Sequence, residues 1–373
     1  MNKIKFIIVI LIFDLVLSNL IFKNTVYWNN INWEKKFWRI SSKNYHHAIL
    51  PNIDKVEKWG GTIEKRIVTN SIGFIDKENR EILKFNNFQK RILLIGDSFI
   101  EGSGLPYEKT FAGLLDDYLG SKYEVLNSAL GSYSPSIYYK KIKFYIDQGY
   151  KFDQALVFLD VSDIFDELFI KFDSKGNILT FEETKKQSLA KKVFYSTGIF
   201  LRDNTIIFRL LNIFSDKTEI IKNYLKLKTK ASKEYDKSFF NTKRDDVMYY
   251  RMTHIDRGYW TFNNDKFNEV SEGLKQSNKY LLKLFNLLQK NNINSTLIIY
   301  PWPTQILYGD DYHQNHWLNF SQKNNINFLS LYDKFQSNDI RKFIFENFIY
   351  GDIHWNSKGT NLIFKEVVKN IDF

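Results

Sequence analysis

From residue 91 onward the chain repeats one pattern, in which short aliphatic runs alternate with stretches of helical spacing. The runs are "RILLIG" (91–96), "YEVLNSAL" (123–130), "QALVFLD" (154–160), "NSTLIIY" (294–300) and "INFLSL" (326–331). Helical spacing falls at about 109–120, from Pro135 to about Gln148, near 266–290, and after Asn356. Continuous apolar runs, rather than alternating ones, mark strands buried on both faces, and such strands belong to parallel sheets covered by helices on each side. The pattern predicts an α/β fold: a three-layer α/β/α sandwich around a doubly wound, mostly parallel sheet, with "INFLSL" at an edge.

The alternation is interrupted once, over about 166–262, where Lys-, Tyr- and Phe-rich helical stretches such as "TEIIKNYLKLKTK" replace the strands. This reads as a helical insertion, either a lid or partner surface or a plain structural extension. Ahead of the sheet, residues 24–88 read as a linker and N-terminal cap, in which "KRIVTNSIGF" gives a strand and a turn at Asn70 and Gly73. The domain itself is placed at 89–373.

The first 23 residues stand apart. "IKFIIVILIFDLVLSNLIF" (4–22) would span about 28 Å as a helix, close to the roughly 30 Å hydrocarbon core of a bilayer. Lys3 and Lys5 give its start a positive charge and no small-residue cleavage pattern follows, so it is expected to be an uncleaved transmembrane signal anchor with the remaining chain outside the cytoplasm, periplasmic or at the cell surface. Asp14 in its middle opposes insertion.

With 44% hydrophobic and 25% charged residues among 373, the chain has the composition of a packed protein. Its net charge of +11 comes from lysines scattered along the chain with no nucleic-acid motif, so no nucleic-acid partner is expected. The absence of cysteine excludes thiolate chemistry and disulfides.

Chemistry concentrates at two distant places. In "LLIGDSFIEG", Ser98 lies just beyond the carboxyl end of the first sheet strand, where ligands collect in doubly wound folds. In "YGDIHWNSKG", Asp352 and His354 are two residues apart before the helix signal of Asn356 and Ser357. An extended stretch puts both side chains on one side, so Asp352 can orient the imidazole and His354 can take the Ser98 proton. A Gly-x-Ser-x-Gly elbow is absent, because Ile100 occupies its last position, which disfavours the α/β-hydrolase fold.

Together these blocks resemble the SGNH, or GDSL-type, hydrolases, over roughly residues 91–165 and 294–368. The resemblance implies a flavodoxin-like sandwich, esterase chemistry without a cofactor, Ser98 as nucleophile with its N–H as an oxyanion donor, and His354 and Asp352 as base and acid. Asp97 falls in the first block and is placed at the substrate pocket. "VLNSALGSYSP" offers Gly131 for the second block, whose glycine N–H faces the oxyanion. In the third block the family uses an Asn, whereas "LDVSDIFDE" puts Ser162 there. The one-residue spacing of Asp352 and His354 is similar to that of alginate-type O-acetylation relatives.

Trp302 in "IIYPWPTQI" is expected to wall the substrate pocket. Asp160, Asp163 and Asp166 crowd one strand end; helix capping accounts for them, and no metal is assigned. His46, His47, His254, His313 and His316 show no zinc spacing. The expected function is removal of O-acyl groups from a cell-surface glycan or lipid. The alternatives are an O-acyltransferase using the same triad on an extracytoplasmic polysaccharide, or a non-catalytic glycan-binding module.

Overall fold

Two antiparallel hairpins precede the sheet: β1 (Arg39–Ser42) with β2 (His46–Ile49), and β3 (Asp54–Trp59) with β4 (Ile63–Val68). The five aliphatic runs then form β5 (Lys90–Ile95), β6 (Tyr123–Asn127), β7 (Gln154–Leu159), β8 (Asn294–Ile299) and β9 (Asn327–Ser330). These positions come from a computed structural model, which describes residues 3–22, 38–59, 63–86, 89–180 and 244–373 with scattered positions between 183 and 226. The chain divides into two units, residues 1–36 with 185–247 and residues 37–184 with 248–373. Residues 24–37 of the expected linker and most of the insertion lie outside the described residues.

In the larger unit the sheet runs β6-β5-β7-β8-β9, parallel throughout, with Ile92 beside Val125, Leu93 beside Ala155 and Ile298 beside Leu329. Counted from its first strand, this is the flavodoxin-like order of a doubly wound sheet. The aliphatic side chains of β5, β7 and β8 are buried on both faces, which is why those segments lack polar alternation. β9 lies at an edge, as its short, mixed sequence predicts. The helices Phe111–Leu119 and Ser357–Asn370 pack on each other, as do Pro135–Asp147 and Asn264–Lys290. The chain leaves β5 for β6 on one side and returns to β7 on the other, which opens a crevice at the carboxyl ends of β5 and β7.

Among the described residues, Pro303–Tyr308, Tyr312–Asn324 and Ile340–Asn347 are helices that escaped the sequence reading, as is the short Ser98–Glu101. The second is polar in composition, yet it buries His313, Trp317 and Ser321, four residues apart along one face. Its apolar stripe is too thin to register as a hydrophobic period.

In the smaller unit the segment 4–22, expected to be a transmembrane helix, forms an α-helix followed by a π-helical turn. No helix among the described residues is long and apolar enough to cross a membrane. The α-helix covers Lys3–Leu17, 15 residues, and gives way to a π-turn over Ser18–Phe22. Asp14 has a structural partner: its carboxylate accepts the N–H groups of Ile206 and Ile207 at 3.0 and 3.1 Å, and Ser18 Oγ joins them at 3.1 Å from the Ile206 nitrogen.

Candidate active site

β5 ends in Gly96, and a Cβ there would lie 2.9 Å from Ile100 Cγ1, so only glycine lets the chain double back this tightly. Asp97 then caps the short helix Ser98–Glu101, its carboxylate accepting Phe99 N–H at 3.0 Å. Ser98 is therefore a helix-start residue at the mouth of the β5–β7 crevice. Its N–H lies ahead of any intrahelical acceptor.

The other half comes from the segment between Ile340–Asn347 and Ser357–Asn370. Phe348 bridges Trp355, Ile349 N–H donates to His354 O at 2.8 Å, and Asn356 caps the last helix through Lys358 and Gly359 N–H. Gly351, at φ +75°, makes the turn inside this loop, where a Cβ would meet Met248 Sδ at 2.9 Å.

The loop brings His354 Nε2 to 2.8 Å from Ser98 Oγ, and His354 Nδ1 to 2.5 Å from Asp352 Oδ1. Ser98, His354 and Asp352 thus form one continuous hydrogen-bonded chain. Burial opposes charge on Asp352, but the bond from the His354 ring, its positive charge, its backbone N–H and the Trp59 indole hold the carboxyl down at about 2. Asp352 therefore stays ionised and fixes Nδ1 as the protonated ring nitrogen, leaving Nε2 to accept from Ser98. The imidazole is buried between the Phe99 ring at 4.6 Å and the edge of Trp59 at 4.9 Å.

The expected oxyanion residues are placed differently. Gly131 lies beside Ser98: a Cβ on it would stand 3.5 Å from Ser98 Cβ. Its N–H, however, donates to Glu101 Oε2 at 2.7 Å, and its carbonyl accepts from His47 Nε2 at 2.9 Å. The next residue, Ser132, is exposed and left-handed at φ +61°, and its N–H makes no hydrogen bond to a described residue. Ser162 is buried, and its hydroxyl donates to Asp160 Oδ1 at 2.9 Å.

Trp302 does not wall a pocket. It is fully buried, with its indole N–H on Asp160 Oδ2 at 2.9 Å, because the end of β8 turns it inward between two prolines. Asp160 also accepts Ser162 N–H at 2.6 Å and Asp163 N–H at 3.0 Å, so it organises the turn after β7. Among the described residues, Asp97, Asp160 and Asp163 bring carboxylate oxygens within 4.8 Å of one another. Burial first, then the neighbouring Asp160, pushes both Asp97 and Asp163 well above the ordinary carboxylate range. Asp97 is buried rather than lining a pocket, and its Oδ2 stands 3.1 Å from Ser98 Oγ. Asp166 turns away to pair with Arg257 at 3.1 Å.

Several residues here had no sequence signal. Glu101 pairs with Arg39, and with Lys65 at 3.5 Å; the same two cations hold Glu57 at 3.2 and 3.3 Å. Trp59 donates to Asp352 Oδ2 at 3.2 Å. Arg39, His47, Glu57, Trp59 and Lys65 all come from the two hairpins that read as linker and cap. Charges on a short hairpin ordinarily face water, and the alternation of "DKVEKW" was the one available hint that Glu57 and Trp59 share a face.

No protein-family model matches this chain, and no curated protein matches it. Among solved structures it is similar to the psychrotrophic esterase EstA from Pseudoalteromonas sp., at 12% identity over 75% of this chain and 96% of that one, with a TM-score of 0.34. A member of the lipolytic protein G-D-S-L family from Veillonella parvula gives 11% identity over 76% and 98%, with a TM-score of 0.35. A carbohydrate acetylesterase family member from Sinorhizobium meliloti gives 10% identity over 75% and 95%, also with a TM-score of 0.35. At these identities and scores the functional reading rests on the geometry of the site itself.

Proposed function

We propose that the chain is a serine-dependent carboxylic-ester hydrolase of the SGNH type, acting on an O-acylated glycan or lipid. One observation carries this reading: the unbroken chain from Ser98 Oγ through His354 to Asp352. Ser98 attacks the acyl carbonyl while His354 Nε2 takes its proton, and the imidazolium is stabilised by Asp352. The same proton goes to the leaving alkoxide. Water, activated by the freed Nε2, then cleaves the acyl-enzyme and releases the carboxylic acid.

The tetrahedral oxyanion needs donors aimed at it. Ser98 N–H, at a helix start, supplies one. With Gly131 N–H committed to Glu101, the adjacent Ser132 N–H is the second donor we assign. Ser162 has no role in this scheme, since its hydroxyl is held by Asp160.

The test is product analysis with an acetylated glycan, an added acceptor glycan and the intact chain. Ser98-dependent release of acetate into water is expected. Transfer of the acetyl group to the acceptor in place of water would reassign the chain as an O-acyltransferase. A folded chain that neither turns over nor reacts with a fluorophosphonate would be a binding module.

We also infer a place at a membrane surface. Along the Lys3–Leu17 helix and the turn after it, Phe6, Val9, Ile12, Phe13, Val16 and Leu20 are exposed, while Asp14 and Ser18 are buried on the Ile206 and Ile207 N–H groups. An apolar outside over a polar inside suits hydrocarbon rather than water. The full chain is expected to float with phospholipid vesicles in high salt, and the double variant Val9→Glu, Phe13→Glu to stay in the aqueous fraction. Flotation of neither protein would overturn this location.

A further inference from the structure

β3 presents two inward side chains to the catalytic machinery. Glu57 and Trp59, two residues apart on one strand, lie on one face, while Val56, one residue before Glu57, is exposed. Glu57 is buried against Arg39 and Lys65, which anchors the strand. Two residues on, the Trp59 indole N–H reaches Asp352 Oδ2 at 3.2 Å. That is the carboxylate oxygen His354 does not use, since both the Nδ1 and the backbone N–H of His354 go to Oδ1, at 2.5 and 3.0 Å.

We infer that Trp59 is a positioning residue of the triad, whose indole N–H fixes the second oxygen of Asp352 and so sets the plane in which His354 is held. The inference rests on the esterase reading of Ser98. A carboxylate bonded through one oxygen still turns about its Cβ–Cγ bond; a donor on the other oxygen stops that rotation, and with it the swing of the imidazole. The indole is itself confined. It stands nearly perpendicular to the His354 ring, with ring centroids 4.9 Å apart and planes 85° apart. Gly104, at φ +77°, leaves the space it occupies, because a Cβ there would lie 3.2 Å from Trp59 Cδ1 and 2.6 Å from Ile349 Cδ1.

Trp59→Phe keeps an aromatic ring and removes only the donor. With a p-nitrophenyl ester, kcat is expected to fall about tenfold and KM to stay within about twofold, the size of effect that losing one hydrogen bond to a charged group allows. The acid limb of kcat/KM is expected to move to higher pH, because a carboxylate that has lost a donor holds its imidazolium partner more tightly. In an Asp352→Ala background the same substitution is expected to change nothing further, since Trp59 acts through that carboxylate.

A purely structural role would lower the melting temperature without moving the acid limb, and its effect would add to that of Asp352→Ala. Either that additivity, or an unshifted limb with kcat within about twofold of the parent, would overturn the role of Trp59 while leaving the esterase reading intact. A parent chain without Ser98-dependent turnover would sink the esterase reading and this inference together.

Discussion

Ser98→Ala is expected to lower kcat on a small acyl ester by about 10⁴-fold or more, with the fold and melting temperature retained. Triad members act as a unit, so removing the nucleophile costs nearly as much as removing all three. The remaining rate would come from the oxyanion donors alone, which hold the carbonyl without supplying an attacking atom. Ser98 is partly exposed, and among the described residues its hydroxyl bonds only His354 and Asp97, so its loss leaves no cavity in the core. Steady-state kinetics with thermal melting separates chemistry from folding: a loss of less than about tenfold in a folded variant would remove Ser98 from the mechanism.

The second large effect is on stability. Glu101→Ala takes a buried carboxylate away from Arg39, Lys65 and Gly131 N–H, leaving Glu57 as the one carboxylate among the described residues that pairs with both cations. Breaking one partner out of a buried ion cluster costs about 3–5 kcal/mol, because the remaining charge has no water to replace it. Glu101→Gln, which keeps an acceptor for Gly131, is expected to cost less.

The pH dependence has a definite sign. Burial alone would raise the Glu101 carboxyl, but Arg39, Lys65 and the Gly131 N–H hold it below its ordinary value of 4.5. A group depressed in the folded state contributes fully above its unfolded value and loses that contribution as pH falls through the folded one. Urea midpoints of the parent and Glu101→Gln should therefore differ most at neutral pH and converge in acid. A gap that stayed constant across that range would show that the charge on Glu101 does not support the fold.

Much of this architecture was legible from residue order. Continuous aliphatic runs separated by helical spacing required a parallel sheet, and the sheet places Ser98 at a strand end whatever the details of its loops. Asp352 and His354 were legible for a related reason: an Asp-x-His pair before a helix start is a local arrangement, although a bend in which Asp352 accepts the His354 N–H, rather than extended backbone, brings the two side chains together. The helix Tyr312–Asn324 was not legible, because its buried face is built from His313, Trp317 and Ser321 rather than from aliphatic residues.

Residue order failed wherever a side chain's role depended on a distant partner. Trp302, between prolines at a strand end, had the look of a pocket wall, and only the packed fold shows its indole spent on Asp160. Gly131 had the expected position, but its N–H is taken by Glu101, thirty residues away. Asp14 read as a defect in an apolar segment, and the fold supplies it with two backbone donors from residues 206 and 207.

The sequence by itself determined the sheet, the strand end that carries Ser98 and the pairing of Asp352 with His354, because strand burial and helix starts are written in spacings of a few residues. Tertiary structure alone decided that Gly131 N–H is taken by Glu101 and that the Trp59 indole reaches Asp352. Those are questions of hydrogen-bond partnership across the crevice. A donor such as the Trp59 indole, 293 positions from Asp352, acquires its function only when the folded chain brings the two within 3.2 Å.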